Sequence, residues 1–202
     1  MRLLIIDNHD SFVYNIVGLL RDCIRRGAVS LSWTIEKNDA VSFDRLHEYD
    51  ALILSPGPGL PSEAGSLMRV IDLCAGTKPM LGICLGCQAI AEYFGASLRH
   101  LDRPRHGHLS HLTGIGSDDE LMGVFAGRDV AVGRYHSWVV SDESLPESML
   151  VGARDEEGNI MSLRHVSLPI FGTQFHPESI VSGCGIDIME RFLSIVSSRQ
   201  RQ

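Results

Sequence analysis

The sequence predicts an α/β fold: a mostly parallel central sheet flanked by helices on both faces, with antiparallel strands added. Strand-like apolar runs alternate with segments of helical periodicity through the first hundred residues. Beyond Gly107 short strand-like runs follow one another, and a final helix closes the chain. Taken in order, Leu3 to Ile6 reads as a strand, and Phe12 to Arg25 as a helix capped by Ser11. Leu31 to Ile35 and Ala51 to Leu54 are the next strands, and a helix near Ala64 to Leu73 follows. Met80 to Ile83 is the central strand, buried by its composition, ahead of a helix at Cys87 to Phe94. Val130 to Tyr135, Leu150 to Ala153, Ile160 to Leu163 and Ile170 to Gln174 read as the added antiparallel strands, with the last helix at Gly185 to Val196.

A chain of 202 residues with 44% hydrophobic and 21% charged residues suits one globular domain spanning 1–202. The net charge of −7 argues against nucleic acid and anionic membranes as partners, since both need clustered cations. The one basic cluster, Arg99-His100 with Arg103, Arg105, His106 and His108, reads as a solvated loop or a protein-docking surface. No run approaches the roughly 20 apolar residues of a membrane helix, and the opening strand is too short for a signal sequence. Five cysteines without disulfide-framework spacing fit a reducing compartment, so the expected location is cytoplasmic. No Gly-x-Gly-x-x-Gly or Walker loop supports nucleotide binding. Cys84-x-x-Cys87 has no second ligand pair, so neither a metal nor another cofactor is expected.

The chemistry concentrates at Gly82-Ile83-Cys84-Leu85-Gly86, a strand-to-helix elbow whose glycines permit unusual dihedrals and close backbone approach. A cysteine there sits at a helix N-terminus, where N–H groups and the helix dipole stabilise a thiolate. Taken alone, Cys84 would read as a small buried hydrophobe. A second cluster, Gln174-Phe175-His176-Pro177-Glu178-Ser179, changes the weighting: it supplies a histidine base and a carboxylate to orient it. Pro56-Gly57-Pro58-Gly59 reads first as a rigid turn, yet it follows a strand, and open α/β sheets bind ligands at the carboxyl ends of strands.

These motifs, with Asp7-Asn8-His9-Asp10-Ser11-Phe12, Leu54 to Pro61 and Arg134-Tyr135-His136-Ser137, resemble the class I (triad) glutamine amidotransferases. Within that family the chain is similar to the small subunits of chorismate-using synthases that make anthranilate or aminodeoxychorismate. The resemblance runs nearly end to end and implies a flavodoxin-like core. It implies Cys84 as nucleophile, His176 as general base and acid, and Glu178 as the orienting carboxylate. It further implies that the backbone N–H groups of Gly57 and Leu85 form the oxyanion hole, that Gly57, Pro58, Gly59 and Gln88 line the glutamine pocket, and that the backbone of Ser137 and Trp138 holds the substrate's α-groups. Trp138 could equally be core packing, and His136 reads as structural.

The implied partner is a separate chorismate-binding synthase subunit that receives ammonia, since 202 residues leave no room for a second domain. Two departures from the family pattern stand out. Cys87 occupies a position where the family usually has histidine, and His108 one where it tends to have lysine. Cys87, one helical turn from Cys84, suggests an oxidation partner for the nucleophile. Another cysteine hydrolase on a related fold, or a non-catalytic docking subunit, are the alternative readings.

Overall fold

In the computed structural model, which describes residues 1–27, 30–104 and 107–200, the described residues form eleven strands and four α-helices. The first half runs β1 (Arg2–Asp7), α1 (Val13–Arg25), β2 (Ser32–Lys37), β3 (Ala51–Leu54), α2 (Leu67–Cys74), β4 (Met80–Ile83) and α3 (Leu85–Tyr93). The second half runs β5 (Leu98–His100), β6 (His108–His111), β7 (Ala131–Arg134), β8 (Trp138–Val140), β9 (Met149–Arg154), β10 (Ile160–His165), β11 (Ile170–Thr173) and α4 (Gly185–Arg199). Seven strands make one sheet in the order β2-β1-β3-β4-β11-β10-β9, parallel from β2 to β11 and antiparallel at β10 and β9.

Strand periodicity divides the core between the two sheet faces. Leu3, Ile5, Ala51, Ile53, Leu81 and Ile83 point into one cluster with residues of α1 and α4. Their neighbours Leu4, Ile6, Leu52, Leu54 and Met80 point into the other, with residues of α2 and α3. In α1 the buried positions Val13, Ile16, Val17, Leu20 and Cys23 recur at three- and four-residue spacing, which places one apolar stripe against the sheet.

Several expectations need correction. Ser11 does not cap α1: the N-cap position is Phe12, without a side-chain cap, and Asp10 accepts the Phe12 N–H at 2.8 Å instead. Helix α2 begins at Leu67 rather than Ala64, because Pro61–Glu63 form a 3₁₀ turn and Gly65 takes φ +53°, outside helical space. Helix α3 begins two residues before the expected Cys87, directly at the elbow. β11, expected among the added antiparallel strands, pairs antiparallel with β10 on one side but in parallel with β4 on the other, so it is the last strand of the parallel set. Strands β5, β6 and β8, of three or four residues, carry too little periodicity to stand out; β5 pairs with β8, and β6 with β7, as two small sheets. Arg105 and His106 of the basic cluster lie outside the described residues. No described helix is long and apolar enough to cross a membrane.

Two glycines let α3 lie against the sheet. A Cβ on Gly86 would fall 2.3 Å from the Leu54 carbonyl oxygen, and one on Gly82 would fall 2.4 Å from the Gly86 backbone. Both obstacles are main chain and cannot step aside by a rotamer change. Replacing Gly86 with alanine is therefore expected to cost about 1–3 kcal/mol or more, as overpacking does. Urea unfolding of Gly86→Ala checks this, and an unchanged midpoint would contradict the close contact.

Candidate functional site

Cys84 is the N-cap residue of α3 and takes φ +51°, a left-handed backbone that a residue with a Cβ rarely adopts. Its N–H donates to the Thr173 carbonyl at 2.7 Å, continuing the β4–β11 ladder by one step, and its carbonyl accepts the Gln88 N–H at 3.0 Å. The nucleophile candidate is thus tied to the sheet on one side and to the helix on the other. The strained torsion is held by both.

The same ladder brings His176 to the site. Three residues beyond Thr173, His176 donates its backbone N–H to Gly133 at 3.0 Å, and its carbonyl accepts the Ser182 hydroxyl at 2.6 Å. Its ring lies among Phe12 and Tyr135, with ring centroids 5.1 and 5.0 Å away. Nδ1 is 2.7 Å from Glu178 Oε1, and both side chains are buried. Nε2, on the far side of the ring, makes no hydrogen bond of its own. Burial alone would depress the imidazole's pKa. The neighbouring Cys84 side chain and the Glu178 carboxylate outweigh it and push the value up to about 10. The arrangement is a cysteine sulfur beside an imidazolium that a buried carboxylate backs, which is the equipment of covalent acyl transfer.

The loop after β3 closes one side. Asn8, itself buried, donates from its side chain to the Ser55 carbonyl at 2.8 Å and from its backbone to the Ser55 hydroxyl at 2.9 Å. Gly57 is pinned between Asn8 and Leu85, since a Cβ there would fall 2.5 Å from Asn8 Cβ and 2.6 Å from Leu85 Cδ2. Pro58 and Gly59 are exposed, and Gly59 takes φ +74°. Leu85 opens α3, so its N–H is among the first-turn donors that a helix leaves without an internal partner.

On the other side, buried Gln88 donates to the Trp138 carbonyl at 2.8 Å and to Gln174 Oε1 at 3.1 Å. The Ser137 carbonyl accepts the Leu101 N–H at 2.8 Å, and the Trp138 ring meets His100 edge-on at 5.0 Å. Sequence reasoning passes over three residues here. Gln174 stands within its motif without a role, and its Nε2 lies 3.7 Å from Cys84 Sγ. Asn8 and Arg134, both buried polar residues, likewise stand only inside motifs. Cys87 faces away from the site, in the apolar cluster on the opposite side of the sheet from Cys84. Its position does not favour a disulfide with the nucleophile. All five cysteines are free.

Comparison with known proteins agrees with this geometry. The class-I glutamine amidotransferase family matches residues 4–196. The aminodeoxychorismate/anthranilate synthase component 2 of Bacillus subtilis is 38% identical over 195 residues, which cover 95% of this chain and 95% of that protein. The anthranilate synthase component 2 of Pseudomonas aeruginosa is 38% identical over 200 residues, covering 95% and 94%. The bifunctional protein TrpGD of Thermotoga maritima is 40% identical over 200 residues, 96% of this chain, and the chain spans 32% of that protein's length. Among solved structures, a GMP synthase subunit from Thermoplasma acidophilum superposes with a TM-score of 0.84 at 27% identity, covering 100% and 96% of the two chains. A glutamine amidotransferase from Thermotoga maritima shares the fold, with a TM-score of 0.69 at 19% identity and coverage of 100% and 84%. With the family match running over all but the ends of the sequence, this chain belongs to the class-I glutamine amidotransferases.

Proposed function

We propose that the chain is the glutaminase subunit of a chorismate-using synthase. It hydrolyses the side-chain amide of L-glutamine and passes the ammonia to a partner subunit that makes anthranilate or 4-amino-4-deoxychorismate. The observation that carries the chemistry is the buried His176–Glu178 pair beside Cys84 at a strained strand-to-helix elbow. The relatives named component 2, matched over about 95% of their length, support the partner.

In this reading the Cys84 thiolate attacks the amide carbon and the carbonyl oxygen takes up the negative charge. The N–H groups of Gly57 and Leu85, brought together by the packing of Gly57 on Leu85, would stabilise that oxyanion. His176, already an imidazolium, gives its proton to the departing nitrogen, and ammonia leaves a glutamyl thioester. The neutral ring then takes a proton from water, which attacks the thioester to give glutamate and restore the thiolate. Glu178 keeps the ring oriented and favours its protonated form. Gly57, Pro58, Gly59 and Gln88 would line the glutamine pocket, with the backbone of Ser137 and Trp138 taking the α-carboxylate and α-amino groups. One domain performs this half-reaction, and the free thiols suit the cytoplasm.

Release of glutamate from glutamine is expected to fall at least about 10³-fold in Cys84→Ser, and to rise in the parent when the synthase partner is added. A Cys84→Ser chain as active as the parent would overturn the assignment. A second test follows from the His176 proton. Because its pKa is raised to about 10, the ring stays protonated through neutral pH and loses its proton only as pH climbs through that value. The associated stability is present below the unfolded value near 6.5 and disappears on the alkaline side. The alkaline limb of kcat/KM should therefore lie near 10 and move down by at least about one pH unit in Glu178→Gln, where one stabilising charge is lost. A limb that stays in place would remove Glu178 from its role.

A further inference from the structure

We infer that Gln174 is a further catalytic residue: its side-chain N–H is aimed at the Cys84 sulfur by a buried hydrogen-bond relay that begins at the Trp138 carbonyl, and it stabilises the thiolate. The inference rests on the reading of Cys84 as nucleophile given above.

The direction of the relay follows from what each group is able to do. A guanidinium only donates and a carbonyl oxygen only accepts. Arg134 Nε lies 3.2 Å from His136 Nε2, so that ring nitrogen must be the acceptor. His136 Nδ1 lies 3.0 Å from the Trp138 carbonyl, so that nitrogen carries the hydrogen. His136 thus presents an acceptor to the guanidinium and a donor to the Trp138 carbonyl.

The same Trp138 carbonyl receives Gln88 Nε2 at 2.8 Å, and that nitrogen also lies 3.1 Å from Gln174 Oε1. Turning the Gln88 amide over would set its oxygen against two other oxygens. With Gln88 fixed, the Gln174 oxygen must face it, which leaves Gln174 Nε2 toward Cys84 Sγ at 3.7 Å. Two successive amides thus carry the polarity of one carbonyl to the sulfur, and the group that arrives there is a donor.

The rest of the relay is built to stay put. Gln174 has no exposed surface, and Gln88, Arg134, His136 and Asp155 are all buried. Gln174 is held by its own N–H to the Met161 carbonyl at 2.8 Å. Arg134 is paired with Asp155, whose carboxylate also accepts from the Asn159 side chain at 2.8 Å and from the Glu157 and Asn159 N–H groups at 3.0 and 2.8 Å. An N–H on sulfur matters most when the sulfur is charged. The donor therefore favours the thiolate over both the thiol and the thioester.

The test reads the thiol directly. Cys84 of the parent and of Gln174→Met, which keeps the bulk and loses the donor, is alkylated with iodoacetamide at pH 7, and the labelled Cys84 peptide is followed by mass spectrometry. The expected result is alkylation slowed about tenfold. A variant that melts at a lower temperature yet alkylates at the parent's rate would show Gln174 to be merely structural and overturn the proposal. Should Gln174→Met not fold, the ¹⁵N carboxamide resonances of the parent decide: those of Gln174 should shift when Cys84 is alkylated, and resonances that do not move overturn it. Neither readout uses glutamine, so a parent that releases no glutamate would count against the glutaminase assignment and leave this result to stand or fall separately.

Discussion

Parallel pairing of β11 with β4, in the register that sets Thr173 opposite Ile83, fixes where two pieces of chain about ninety residues apart leave the sheet. One step past that register, the Cys84 N–H meets the Thr173 carbonyl. Beyond it the two chains diverge by different means. The first turns at once into α3 through a left-handed residue, and the second continues to Gln174 and His176. A slip of one residue would exchange the faces of every side chain on β11 and separate sulfur from imidazole. Such a slip is opposed on both faces: Phe171 is buried in one core cluster and Ile170 in the other, while Gly172 lies so close under Cys87 that a Cβ there would fall 2.7 Å from its sulfur.

Placing this much polarity at the edge of a core is costly, and the hydrogen bonds that join Arg134, Asp155 and Asn159, and Gln88 and Gln174, offset part of the cost. A buried ion pair such as Arg134–Asp155 contributes little net stability, because desolvation cancels most of its attraction. Removing one partner alone is another matter and typically costs about 3–5 kcal/mol. What the pair supplies is orientation. A charge that cannot be lost, fixed by a carboxylate that itself accepts several N–H donors, orients the neighbouring imidazole. Specificity of this kind is a reason to keep ions in an interior that would be at least as stable without them.

The parallel core was legible because its strands are short, wholly apolar and separated by helical periods; Ala51–Leu54 and Met80–Ile83 fall where the sequence places them. The elbow was legible because only glycine tolerates what Gly82 and Gly86 must do. Helix starts were not, since α1 opens without a side-chain cap and α2 waits for a 3₁₀ turn to finish. The parallel pairing of β11 with β4 was not legible for a plainer reason. Its length and composition are those of a strand in either direction, and only the tertiary path decides between them. The polar network around Arg134, His136, Gln88 and Gln174 had no local signature at all, because its members come from three distant stretches and each is an ordinary residue where it stands.

Selectivity among the thiols follows from the same contrast between satisfied and unsatisfied burial. Cys23, Cys74, Cys87 and Cys184 are enclosed with little to stabilise a charge, and burial raises every one of them, Cys23 to about 11 and Cys184 to about 12. Each behaves as a small hydrophobe. Cys84 is almost as buried, yet its sulfur has an imidazolium on one side and an amide donor on another. Low local polarity magnifies whatever charge or dipole is present, so both neighbours act strongly on this one sulfur. Cys87 shows the limit of that effect. It lies only three residues on, but among the apolar side chains of the other core cluster, where burial pushes its thiol up.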